Sequence, residues 1–252
     1  DALEANTTGH SNVAVGANAL DANTTADNNT AVGFASLTSN TTGTENTAIG
    51  RGTLSNSTTA SNNTALGKNA LNATTTGQQN VAVGSLALDA NTTASDNTAV
   101  GYLALSDNST GNNNTGVGVG ALENNTTASN NTAVGSIALL NNTTGTSNVA
   151  VGAAALDANT TANGNTAIGA ATLGSNTTGS NNSALGQGAL FANTTAASNT
   201  AIGYFALNAN TTGASNVAVG ALSLDACTTG SNNSCVGHVA GGAITTGSSN
   251  QI

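Results

Sequence analysis

A parallel β-solenoid is the fold this sequence predicts. Three observations predict it: a tandem period of 17 residues that never slips, aliphatic residues held at fixed registers of that period, and a repeat too short for a helical hairpin. Gly stands at 16 and at each seventeenth position to 237. Asn precedes each of these glycines by four, from Asn12, Asn29 and Asn46 to Asn233, and recurs at Asn250. Leu follows each by four, from Leu20 to Leu224 with Leu3 ahead of them, and only Gly241 interrupts that row. Thr holds position 8 and every seventeenth position to Thr246.

Each element of the repeat has a local reason. Thr-Ala-Val before the Gly is β-branched and alternating, so it reads as a strand. The stretch through Ala-Leu is expected to be a second strand. Asn-Thr-Thr-Gly reads as a turn, although its Thr pair could form a third short strand. Seventeen residues cannot hold two helices and a turn, and Gly in mid-repeat disfavours helix. Stacking coils at about 4.8 Å places Leu on Leu and Val on Val or Ile, and buries faces that one coil cannot bury alone. Residues 1–252 are then one continuous solenoid of about fifteen 17-residue coils, roughly 70 Å long. A higher period is also present. Val replaces Thr after the repeat Asn at 13, 81, 149 and 217, and Leu-Asp-Ala recurs at 20, 88, 156 and 224, both at steps of 68.

The repeat Asn carries a donor and an acceptor, so stacked copies are expected to form a hydrogen-bonded ladder. The repeat Gly implies either a positive φ or a close approach of the next coil. Within the strand, the Ala row (Ala14, Ala31, Ala48) and the aliphatic row (Val15, Val32, Ile49) point to opposite faces. One row lines the interior. The other needs a cover, which a second copy of the chain supplies.

Composition restricts function. With 5% charged residues and a net charge of −9, the chain has only Arg51 and Lys68 as cations, so no basic patch for nucleic acid can form. No apolar run is long enough to cross a bilayer as a helix. The two histidines, His10 and His238, fall at variable positions, and the scattered acids lack the Asp-rich loops of calcium-binding solenoids. No enzyme activity and no cofactor or metal site is expected. Cys227 replaces a repeat Asn and Cys235 a repeat Ala; they read as tolerated small side chains, with a disulfide as the alternative. The chain starts and stops inside a repeat, as expected for a segment of a longer fibre.

Two registers are candidates for surface chemistry. The residue after each Gly varies freely and includes Phe34, Arg51, Lys68, Tyr102 and Tyr204, as a solvent-facing recognition row would. The Asn-Thr-Thr register supplies glycosylation sequons at Asn6, Asn23, Asn40, Asn91, Asn159, Asn176, Asn193 and Asn210, with Asn-Ser-Thr at Asn108. Lying outside the apolar strands, this register is expected to accept covalent glycans without disturbing the core. Ice binding by a Thr row is a further, minor alternative. The two adjacent Thr are expected to face opposite ways, which leaves one row presented.

At Asn12-Val13-Ala14-Val15-Gly16 and Asn46-Thr47-Ala48-Ile49-Gly50 the repeat resembles the head repeats of YadA-like trimeric autotransporter adhesins, and similar strings occur in phage tail-fibre shafts. The resemblance extends to nearly every coil, although this coil is a few residues longer. It implies a left-handed β-roll, three chains side by side, an extracellular, cell-surface or virion-fibre location, and binding to matrix or host surfaces.

Overall fold

A computed structural model describes all residues, Asp1–Ile252. The chain is all-β and has no helix. It divides into two compact units, Asp1–Ala128 and Ser129–Ile252. The first holds seven three-residue strands, from β1 (Val13–Val15) to β7 (Thr115–Val117), one per coil. Each pairs in parallel with the next at a register of 17, as Val13 with Thr30 and Ala48 with Ala65. The second holds β8 (Thr132–Val134) to β14 (Ser234–Val236) in the same arrangement. The predicted β-solenoid of 17-residue coils is therefore present in both units.

The coil from Asn29 to Glu45 shows how the repeat folds. Thr30-Ala31-Val32 is the strand, and only Ala31 points inward, where it is fully buried. Gly33 then turns the chain with φ +135, and a Cβ there would lie 2.5 Å from the Gly50 carbonyl oxygen. Both reasons for a repeat Gly therefore hold at once. Phe34 points out, Ser36 and Leu37 point in, and Asn40 is buried. Thr41 and Thr42 lie on the outside, Gly43 is buried, and Glu45 forms a corner at φ 60. The chain re-enters at Asn46.

One expectation is corrected. The Ala-Leu stretch is not a second strand, and the Thr pair is not a third. Ala35 and Leu37 sit at φ 54 and φ 50, which breaks the pleat. Backbone bonds between coils persist regardless: Leu37 N–H donates to Thr53 O at 3.0 Å and Ser39 N–H to Ser55 O at 3.2 Å. The coil is thus stitched to its neighbour along most of its length while only three residues are extended. Left-handed Leu is costly in isolation. It is held here because the Leu row spaced by 17, from Leu20 to Leu207, is fully buried against its copies.

The interior is half polar. Leu and Ala rows fill the apolar part, and two Asn rows line the rest. In the first, Asn29 Oδ1 accepts the backbone N–H of Asn46 at 3.0 Å, and Asn29 Nδ2 donates to Gly43 O at 2.9 Å. This is the ladder expected of the repeat Asn. In the second, Asn40 Nδ2 donates to Asn23 Oδ1 at 3.2 Å and to Gly43 O at 2.9 Å. Where Ser or Thr replaces inner Ala, the hydroxyl finds a carbonyl, as Ser36 Oγ does with Ala48 O at 2.9 Å.

The second ladder has gaps, and the orphaned atoms mark them. Asn40 Oδ1 and Ser57 Oγ are buried without partners, because Ser57 is too short to reach back one coil. Asn210 Oδ1 is orphaned in the same way, one coil before Cys227. Ser57→Asn should restore the missing bond to Asn40 Oδ1. We expect it to raise stability by about 1–3 kcal/mol, the usual cost of a buried unsatisfied group, read as a higher midpoint in denaturant unfolding.

Asp89 and Asp157 occupy the same register of the higher period, both partly buried. Burial pushes both carboxyls above the ordinary carboxylate range, and Asp107 adds to the rise at Asp89. A raised folded-state value means that the native state holds its proton more tightly than the unfolded chain does. The associated stability is present below the unfolded value, about 3.9, and is lost as pH rises through the raised one. Asp89→Asn and Asp157→Asn should therefore raise the melting temperature at pH 7 and leave it nearly unchanged below about pH 4. Thermal melts across that range check both halves.

Candidate functional site

The strand builds the most distinctive surface. Because Ala points inward, the first and third strand residues both point outward. The third is Val, Ile or Leu in every coil. In the first unit this row includes Val15 at 57% exposure and Leu66 at 45%; in the second, Leu185 at 47% and Val236 at 64%. The first strand residue, Thr in most coils and Val at 13, 81, 149 and 217, runs beside it. Each unit thus presents a flat face of β-branched side chains with an aliphatic line along it. A patch of this kind, larger than scattered apolar residues, marks an interaction surface.

The variable residue after each Gly borders the same face. Phe34, Arg51, Lys68, Tyr102 and Tyr204 are all exposed, as the sequence predicts for a row that accepts any side chain. Three of them are brought together on consecutive coils. Arg51 lies over the ring of Phe34, with Cζ 5.8 Å from the centroid, and Lys68 follows one coil on. Both cations of the chain therefore stand on the two coils next to one aromatic side chain. Tyr102 stands two coils beyond Lys68 in the same unit, and Tyr204, in the second unit, packs edge-on against Phe205 at 4.4 Å.

The sequon register behaves differently from expectation. Asn23, Asn40, Asn91, Asn108, Asn159, Asn176, Asn193 and Asn210 are fully buried, and only Asn6 in the first coil is half-exposed. Their Nδ2 atoms, the atoms a glycan would occupy, are hydrogen-bond donors inside the coil. Asn159 Nδ2 donates to Asn142 Oδ1 at 2.8 Å and to Ala162 O at 3.2 Å. Asn6 Nδ2 donates to Gly9 O at 3.0 Å. A sugar on this row would remove the ladder and has no space in the folded coil. The register is structural, and the expectation that it lies outside the core is corrected.

The Thr pair is corrected too. Both residues lie on the outside rather than on opposite faces. The first spends its hydroxyl on the next coil, as Thr143 Oγ1 does on Thr160 O at 3.1 Å, and the second is exposed. One free hydroxyl row remains, bordered by a buried Gly or Ala row.

Cys227 and Cys235 are both buried free thiols. Burial pushes both above the usual thiol range, Cys227 against a weak bond to the Gly230 carbonyl at 3.7 Å. His10 is exposed, with its Nε2 3.2 Å from Asp27 Oδ2 in the next coil. No group of three or more His, Cys, Asp or Glu side chains could hold a metal ion, and neither unit contains a pocket.

No family model and no curated protein sequence matches the chain.

Proposed function

We propose that this chain is a self-associating structural and adhesive segment of an extracellular fibre or surface adhesin. One observation carries the reading: the unbroken Val/Ile/Leu line on the outer face of the strands in each unit. Its spacing repeats with the coil, so another stack of identical coils matches it row for row. A β-solenoid of tandem repeats supports a structural role. The resemblance of the Asn-Val-Ala-Val-Gly strings to YadA-like head repeats favours three chains side by side and a location at the cell surface or on a virion fibre. Host-surface or matrix ligands are then met by the bordering row, with Phe34, Arg51, Lys68, Tyr102 and Tyr204 as the side chains that differ from coil to coil. Catalysis, cofactors and nucleic acid have no part in this reading, and the net charge of −9 supports the last exclusion.

Sedimentation equilibrium on the purified chain tests it. The expected mass is an integral multiple of 23.9 kDa, three being favoured. A single species at 23.9 kDa across the micromolar range would overturn self-association.

A further inference from the structure

The structure separates two kinds of sequon that look alike in the sequence, and only one of them leaves its amide free. Immediately before the first ladder Asn, every coil has a corner residue with φ near +60, exposed to solvent. Asn occupies that corner at Asn28, Asn62, Asn113, Asn130, Asn181 and Asn232. Asn tolerates this conformation better than most residues, which accounts for its presence there but not for the residue type found two places further on.

Two residues beyond each corner Asn stands a hydroxyl: Thr30, Thr64, Thr115, Thr132, Ser183 and Ser234. That hydroxyl residue opens the strand and points outward. In the four coils that open with Val, at 13, 81, 149 and 217, the corner is Ser11, Gln79, Ser147 and Ser215, never Asn. Four other coils open with Thr behind a different corner, Glu45, Asp96, Gly164 and Ser198, so the hydroxyl occurs without Asn but the corner Asn never occurs without the hydroxyl. Each corner Asn therefore completes an Asn-X-Thr/Ser acceptor. None of the six corner side chains is engaged in a hydrogen bond, whereas the Asn-Thr-Thr amides are buried donors. Asn56, exposed in Asn56-Ser57-Thr58, is one more open acceptor outside this row.

We propose that these corner asparagines are N-glycan acceptor sites. The reaction uses a lipid-pyrophosphate-linked oligosaccharide as donor. The Asn Nδ2 attacks the anomeric carbon of the first sugar, and the N–C bond forms as the bond from that carbon to the phosphate oxygen breaks. The lipid pyrophosphate leaves with the electron pair, and the amide proton passes to it. The corner is a different row from the aliphatic line, and its test reads site occupancy, which is scored separately from the oligomeric state.

The test is to secrete the chain from a host with N-glycosylation machinery and isolate the soluble, protease-resistant fraction. Its sugars are then mapped by mass spectrometry after enzymatic deglycosylation in heavy-oxygen water. We expect occupancy at Asn28, Asn62, Asn113, Asn130, Asn181 and Asn232, and none at Asn23, Asn40 or Asn176. Thr30→Val and Thr64→Val should each remove one glycan and leave the melting temperature of the deglycosylated protein unchanged, because Val already fills that register in four coils. Bare corners, or glycans on the Asn23 register of folded protein, would overturn the proposal. So would a Thr30→Val protein that keeps its sugar at Asn28.

Discussion

Gly152→Ala is expected to destabilise the chain strongly, and to cost far more than a methyl added at an exposed position. Gly152 holds φ +133, and its missing Cβ would lie 2.5 Å from the Gly169 carbonyl oxygen and 2.6 Å from its carbon. Two penalties therefore act together. An L-residue at that φ costs about 1–3 kcal/mol, and pressing a methyl into backbone that cannot swing aside costs about 1–3 kcal/mol more. Neighbouring coils cannot absorb the shift, because Gly169 and Gly186 repeat the same close approach. At roughly 2–4 °C per kcal/mol for a protein of this size, the melting temperature should drop by about 10 °C. Gly164→Asn is the matched control. Gly164 also has positive φ, +67, but its Cβ would meet only the end of the Asn181 side chain, and Asn fills the equivalent corner in six coils. That variant should melt within about a degree of the parent, since αL is open to Asn at little cost. Equal melting of the two would refute the close-approach account.

The same contrast shows what the sequence made legible. A period without insertions fixes which residues stack, so the Gly row, the Leu row and the ladder of Asn29 and Asn46 follow from spacing and side-chain chemistry. What the period leaves open is direction. Ala31 and Val32 are both apolar and both regular, and nothing in their order says which one points inward. The coil interior decides it: Leu37, Asn29 and Asn40 are buried there, and the inward strand position holds only small side chains, Ala in most coils and Cys235 in one. The expected second strand fails for a related reason. Leu carries no preference for positive φ, so the bend at Leu37 arises from stacking and has no local signal. The burial of Asn40 was within reach, because the amides of Asn23 and Asn40 stack by the same geometry as those of Asn29 and Asn46. The Thr-Thr after them spells a sequon, and that signal pointed to sugar instead. The recognition row of Phe34, Arg51 and Lys68 was visible as variation at one register, but the stacking of Arg51 on Phe34 required the fold.

Placing one charge on the aliphatic line of each unit should separate the associated chains without harming the coils. Leu66→Glu and Leu185→Glu, combined, are the variants to make. Both side chains are nearly half exposed and neither belongs to the core, so substitution leaves the buried Leu, Ala and Asn rows untouched. On self-association the position becomes buried, and a carboxylate there must be desolvated without a partner. The chain offers only Arg51 and Lys68 as cations, and its net charge of −9 adds repulsion between copies. Losing the apolar contact of one such side chain removes about 1.5–3 kcal/mol of hydrophobic burial. Two losses of that size, before any charge penalty, correspond to at least about a hundredfold weaker association. Sedimentation should then report a species at 23.9 kDa where the parent reports a multiple of it. The melting temperature measured at dilutions where the parent has also dissociated should be unchanged. If the double variant still sediments as the parent does, the strand face is not the contact. If it falls apart only because it unfolds, the matched melts at high dilution will show it.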